Sequence, residues 1–312
     1  MLDPRDLYEL NEPVVDGLRA RSQACEIGPV LVNSLKGFID AGHMGELAVE
    51  HLLATGNPVR VATFDHDRLV DYHAKRPTML FERTRWGRYD GPHIVLDLLE
   101  DADGANYLLL HGNEPDRYWD SFVAAVIGLI NDFNVSLSVG MYGIPMGVPH
   151  TRPQGTVLHA SREGLLDEVK DWMGSMTVPA SVSNLIEYRL GDSERDAIGV
   201  AVQVPHYLAQ SQYAPAAIVG LTKVEGITGL SFATEDLVED AREAVAEVDR
   251  QVENSAEVAE MVKGLENQYD AFVSAHPQES LLAQTTRIPT AEELGAEFEQ
   301  FLSQQPGMPD AE

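Results

Sequence analysis

Residues 135–153 read VSLSVGMYGIPMGVPHTRP. The first half, Val135 to Met141, is a run of apolar and small residues, the composition of a strand buried on both faces. The second half carries Gly143, Pro145, Gly147 and Pro149, then His150, Thr151, Arg152 and Pro153. Glycine and proline interrupt strand pairing, so the strand is expected to stop near Met141. The chain would then leave a sheet and present an imidazole, a hydroxyl and a guanidinium on a stiff loop. In open α/β sheets, ligands sit on loops at the carboxyl ends of strands. This loop is therefore the first candidate site.

Working outward, the flanking segments repeat the same alternation of strand and helix. Pro29 to Asn33 is a short apolar run, followed by Gly37-Phe38-Ile39-Asp40-Ala41-Gly42. Met44, Leu47, Ala48 and Leu52 then recur at helical spacing, and Gly56 with Pro58 stops the helix. Pro58 to Phe64 is β-branched, so a βαβ unit with a parallel pair is expected. Asp65 to Pro77 is too charged for a core and reads as a surface excursion. His93 to Leu99 and Asn106 to Leu110 read as strands joined by the acidic turn Glu100 to Gly104. Asn113 is expected to cap a helix with Pro115 in its first turn. Trp119, Phe122, Val123, Val126, Ile127 and Ile130 form its apolar stripe. With Val135 to Met141 behind it, this makes a second βαβ unit. Beyond the loop, Thr156 to Ala160 and Ala197 to Val204 read as strands, and Val182 to Leu190 and 213–227 as helices.

Charge is distributed unevenly. The 312 residues carry a net charge of −28 with 44% apolar content. Residues 235–312 hold 19 Asp/Glu and 4 Lys/Arg, a net of −15. This shift near residue 233 is the candidate boundary. Leu237, Ala241, Ala244, Val245, Val248 and Val252 are spaced helically in the acidic background. Val258, Met261, Val262, Leu265, Tyr269 and Phe272 continue the pattern, and Thr290-Ala291-Glu292-Glu293 is a capping box for a last helix through Leu302. A strongly acidic chain repels phosphate, so neither nucleic acid nor an anionic membrane is an expected partner. The first residues lack the apolar region of a signal peptide, and no run of eighteen apolar residues spans a membrane. A single cysteine, Cys25, forms no internal disulfide, which fits a reducing, cytoplasmic compartment.

Three loops at expected strand ends carry histidine: His150-Thr151-Arg152, His206-Tyr207 and His111-Gly112-Asn113. An arginine fork binds a carboxylate or phosphate through two parallel hydrogen bonds, and a histidine beside it supplies a donor or a general acid or base. The plainer reading, which we prefer, is that His150 and Arg152 anchor their own loop. Asp65, His66, Asp67, Asp71 and His73 are metal-ligand types, but their spacing matches neither a calcium loop nor a zinc helix, so no metal is expected. The 37–42 turn is not a phosphate-binding glycine loop, and Asp40 would repel phosphate. Asp40 reads instead as a helix cap. Cys25 has no neighbouring base, and no G-x-S-x-G elbow occurs.

Several of these segments together resemble one family. They are Gly37 to Gly42 with its helix, Asp71-Tyr72 with Arg76-Pro77, Gly112-Asn113-Glu114-Pro115 followed by Trp119, and Gly143-Ile144-Pro145 with Pro149 to Pro153. The chain resembles the proteasome assembly chaperone 2 family, in its actinobacterial branch, from about residue 27 to residue 230. The acidic tail is similar to the extension of that branch. The resemblance implies an α/β fold, a three-layer α/β/α sandwich of the nucleoside phosphorylase type with a C-terminal acidic helical extension. The expected division is an N-terminal arm over 1–26, a core over 27–233 and the extension over 234–312. Eukaryotic members help assemble proteasome rings. Some prokaryotic members carry a label likening them to ATP-grasp ligases, but the lysine-and-acid pattern of such ligases is missing here.

Two readings follow. The first is a non-catalytic chaperone or interaction protein with protein partners, proteasome-related ones among them, and a homo-oligomeric state for which a trimer is the working number. It expects an exposed apolar patch and no cofactor. The second is a small-molecule enzyme or binding protein whose anionic or nucleoside-like ligand meets Asp40, His150, Thr151, Arg152 and His206. It expects a concave pocket where those side chains converge.

Overall fold

Val30–Lys36 alternates residues that bury on opposite faces, the period of a strand covered on both sides. In a computed structural model of the chain, residues 3–24, 27–166 and 175–275 are described, and this strand sits near the middle of an eight-stranded sheet. The strands are β1 (Tyr8–Leu10), β2 (Val30–Lys36), β3 (Val59–Phe64), β6 (Ile94–Glu100), β7 (Asn106–Asn113), β8 (Leu137–Met146), β9 (Thr156–Ala160) and β10 (Ala197–Pro205). A separate hairpin comprises β4 (Thr78–Glu82) and β5 (Arg85–Asp90). The large sheet runs β1-β3-β6-β7-β2-β8-β10-β9. Its middle four strands, β7, β2, β8 and β10, are parallel, and the pairings outside them are antiparallel.

Helices cover both faces. On one lie α1 (Glu12–Ala24), α4 (Trp119–Asp132) and α5 (Val182–Asp192), enclosing a core with Phe64, Phe122 and Phe133. On the other lie α2 (Met44–Thr55), α6 (Ala214–Thr228) and α7 (Glu235–Glu253), with Met44, Tyr107, Val202 and Tyr213. The expected three-layer α/β/α arrangement is present. A short α3 (His66–Leu69) and the final described helix, α8 (Ala256–Ala275), complete the α-helices among the described residues. The helix anticipated at 290–302, and Cys25, lie outside the described residues.

Local signals explain the helix ends. Ser181 accepts the Asn184 amide at 3.2 Å to cap α5. Pro215 opens α6, and Gly229, at φ +76°, closes it in the left-handed conformation glycine tolerates.

The structure departs from the sequence reading in four places. First, β2 and β3 are not neighbours; β6 and β7 lie between them. The tight turn after β6, where Asp101 Oδ1 accepts the Asp103 and Ala105 amides at 3.0 and 2.7 Å, makes β6–β7 a hairpin that inserts as a unit. Likewise β2 separates β7 from β8. Second, β8 does not stop at Met141 but runs to Met146. Its pairing with β2 ends at Gly140, and only β10 continues alongside it, so Pro145 removes no bond on the open side. Third, Asn113 caps no helix. It closes β7, accepting the His93 amide at 3.1 Å, and α4 begins only after Tyr118. Fourth, the N-terminal segment expected as an arm over 1–26 packs onto the sheet in its described part: β1 extends the sheet, and Leu7, Val15 and Leu18 are buried in the core.

Candidate functional site

The turn after β2 is built around close approaches. Gly42 has φ +69°, and a Cβ there would crowd Tyr213 and Val204 at 3.1 Å. A Cβ on Gly143 would come within 2.1 Å of the Ala41 carbonyl oxygen. These contacts put Asp40 beneath the start of α2. Its Oδ1 accepts the amides of Gly45 (2.8 Å) and Gly143 (3.1 Å), and its Oδ2 that of Glu46 (3.1 Å). Burial pushes its carboxyl above the ordinary range, against the pull of those three donors. Asp40 is thus the helix cap the sequence suggests, and it also ties α2 to β8. Gly37 permits a similar approach by Glu114, which is buried and accepts the Val182 amide at 2.7 Å. The glycine motif and the G-N-E-P motif are therefore two halves of one junction.

The loop following β8 is held by the tail. The His150 side chain is 1% exposed. Its Nδ1 lies 2.6 Å from the Tyr207 hydroxyl and its Nε2 3.1 Å from Asp249 Oδ1, on α7. Thr151 donates to Glu266 Oε1 at 2.5 Å. Arg152 forks onto Asp270, Nε to Oδ1 at 2.8 Å and Nη2 to Oδ2 at 2.7 Å, while Nη1 donates to Glu266 at 3.3 Å. The hydrogen bond from Arg152 holds the Asp270 carboxyl below the usual carboxylate range. Tyr269 donates to the Pro153 carbonyl at 3.3 Å. His206 is exposed, its ring edge-on to Tyr207 with centroids 5.4 Å apart.

The five residues anticipated from sequence do gather at one end of the sheet. The Gly42 amide donates to Ala209, and the Tyr213 amide to Gly42, both at 2.9 Å, which joins the 37–42 and 206–213 turns. Their side chains do not converge on a common space. Asp40 faces backbone amides, His150 to Arg152 face α7 and α8, and His206 faces solvent. The partners Tyr207, Asp249, Glu266 and Asp270 were not foreseen. Glu266 and Asp270 stand one helical turn apart, a spacing that puts both carboxylates on one face of α8 and that the sequence does display. The third histidine, His111, is buried inside the sheet layer, its Nε2 2.9 Å from Asp97 Oδ2. In the 65–73 stretch each carboxylate has a partner: Asp65 takes the Arg68 amide and Asp67 the Tyr72 hydroxyl, both nearby in the chain, and Asp71 the Arg117 guanidinium from before α4.

One element escaped the sequence reading. β4 and β5 form a hairpin away from the main sheet, and every residue in both strands is exposed. Met79 pairs with Tyr89 and Phe81 with Trp86, and these four side chains are 48–63% exposed.

These features define a class: a three-layer α/β protein whose acidic helical tail is latched to the carboxyl ends of its parallel strands. A sequence model described as the PAC2 family matches residues 34–252, and the chain belongs to that family. Among solved structures it is similar to a Mycobacterium tuberculosis protein of unknown function, with 40% identity, 86% of this chain and 92% of that chain covered, and a TM-score of 0.81. A Corynebacterium glutamicum protein of unknown function is 33% identical, with 86% and 98% covered and a TM-score of 0.78. A Mycobacterium tuberculosis homologue of proteasome-assembly chaperones shares the fold at 22% identity, with 75% and 99% covered and a TM-score of 0.66. No curated protein sequence matches the chain.

Proposed function

We propose that this chain is a non-catalytic, chaperone-like interaction protein that works in the cytoplasm as a homo-oligomer and engages protein partners, proteasome components among them. The observation that carries this reading is the β4–β5 hairpin. A two-stranded hairpin standing alone is marginal in water, and its apolar side exposes Met79, Phe81, Trp86 and Tyr89 together. Aromatic residues grouped on an exposed face are the anchors protein interfaces use. Arg88 is paired with Asp90, and Arg83 and Arg85 leave the hairpin a small basic excess over Glu82 in a chain of net charge −28. The fitting partner surface is therefore apolar with acidic neighbours. PAC2 membership supports the choice of proteasome subunits as the first partners to try.

The anionic-ligand reading loses support at the 143–153 loop, because Arg152 and Thr151 are already engaged by Glu266 and Asp270. The test is native mass spectrometry of the full chain mixed with proteasome core α-type subunits from the same cell. The expected result is a complex that a Phe81→Ser, Trp86→Ser double variant forms about tenfold or more weakly. Both side chains are exposed, so the variant keeps its fold. Equal binding by the variant, or no complex with the wild type, would overturn the proposal.

A further inference from the structure

On the face opposite the latch, one register row crosses four strands: Asn33 on β2, Gly140 on β8, Gly199 on β10 and His159 on β9. The two middle positions have no side chain, which leaves a hollow in the sheet surface. Gly199 is required there, since a Cβ would come within 1.8 Å of the His159 ring. Ser138 and Tyr142 stand two residues to either side of Gly140, and Ser183, Asn184 and Glu187 of α5 close the hollow from above. Its volume is about 10 Å³, the space of one water-sized group.

The lining is organised. His159 Nδ1 lies 2.8 Å from Glu187 Oε1, and Nε2 lies 2.9 Å from the Tyr142 hydroxyl. With the carboxylate accepting from Nδ1–H, the other ring nitrogen accepts the Tyr142 proton, and the Asn184 side chain hydrogen-bonds to the same phenol oxygen. Asn33 is 3% exposed and donates from Nδ2 to Ser138 Oγ at 3.4 Å, while its Oδ1, in the wall of the hollow, has no hydrogen-bond partner. A buried amide oxygen without a donor is costly, and an aliphatic side chain would fill the place without that cost. His159 and Glu187 form the part-exposed rim.

We propose that this hollow is a binding site for a primary ammonium group. Among the described residues the lining offers a carboxylate, an unpaired amide oxygen and hydroxyls, with no lysine or arginine. Such a set repels an anion and leaves an apolar group unsatisfied. An ammonium brings three donors and a positive charge in a volume the hollow admits. The site lies apart from the hairpin and stands or falls independently of the partner-binding reading.

The test uses the full chain and ethylammonium as the probe, followed by amide chemical shifts, with ethanol and acetate as size-matched controls. A probe this small binds no tighter than about 1 mM, so titration runs to about 100 mM. Saturable shifts at Gly140, Gly199 and His159 are expected with ethylammonium alone. A Cβ added at Gly140 makes only ordinary contacts, the nearest at 3.4 Å from Asn33 Oδ1, so Gly140→Ala folds and fills the hollow. It should abolish the response. Glu187→Gln keeps the acceptor for His159, removes the charge, and should weaken binding about tenfold. A diamine and a lysine-containing tripeptide then distinguish a free amine from a protein side chain as the source of the group. No saturation, equal responses to ethanol or acetate, or an unchanged affinity in both variants would overturn the proposal.

Discussion

Asp97 shows what a single buried charge demands of its neighbours. It is 2% exposed, accepts Arg60 Nε at 2.5 Å on one oxygen and lies 2.9 Å from His111 Nε2 on the other. Burial pushes its carboxyl up, but the hydrogen bonds from His111 and Arg60 and the guanidinium charge outweigh that and hold it below the ordinary range. A depressed carboxylate contributes stability above its unfolded value, and that contribution is lost as pH falls through the folded value. Asp97→Asn should therefore cost about 2–4 kcal/mol at neutral pH, with the penalty shrinking below about pH 4. Chemical denaturation of both proteins at pH 7 and pH 3.5 measures it; an equal penalty at both values would exclude the ionised pair. None of this was legible around His111 in the sequence, where it stands at a strand end beside Gly112 and Asn113. Its partner is fourteen residues away, and only the β6–β7 register, which pairs Val95 with His111, brings Asp97 within reach.

At the scale of elements, the loop that looked like an active site is a latch. Arg152 and Thr151 hold α8, and His150 holds α7, through partners about a hundred residues further along. Arg152→Ala should leave the sheet intact and speed hydrogen exchange across 256–275 severalfold, with β2 and β8 unchanged. Because Asp270 titrates below the ordinary carboxylate range through the Arg152 hydrogen bond, the latch is complete above about pH 4 and loosens below it. Exchange rates for α8 measured from pH 6 down to pH 3 check this. Uniform protection across that range, in the wild type and in Arg152→Ala alike, would mean the fork does not hold the helix. The strands, the β6–β7 turn and the tail helices were legible because each rests on local periodicity and turn chemistry. Strand order and the latch were not, since both are contacts between segments distant in the chain. The β4–β5 hairpin was hidden for another reason: with neither face buried, Thr78 to Asp90 lacks the polar-apolar alternation that marks a half-buried strand.

For the whole molecule, the change of composition near residue 233 and the physical boundary need not coincide. Leu230, Phe232 and Leu237 are buried in the core shared with α2 and α6, and Val245 and Val248 of α7 pack against the same cluster. The His51 ring, also buried, lies 3.0 Å through Nε2 from the Phe232 carbonyl oxygen. In contrast, α8 is tied to the loop after β8 by the polar latch, and of its described residues only Val262 is buried. The family match, which ends at 252, includes nearly all of α7. We therefore propose that the working unit extends through α7 and that only the part beyond it is an appendage. A chain ended after Asn254 should fold and unfold cooperatively with a modest loss of stability. A chain ended after Ala233 loses the burial of Leu237 and part of that of Val245 and Val248, which together contribute about 3–5 kcal/mol. It also strips the cover from His150. Comparing the two truncations with the full chain by denaturant unfolding and light scattering decides the matter. The shorter chain should aggregate or unfold at markedly lower denaturant, while the longer one stays close to the full protein. Equal stability of the two would place the boundary at 233 and make α7 a separable part of the acidic tail.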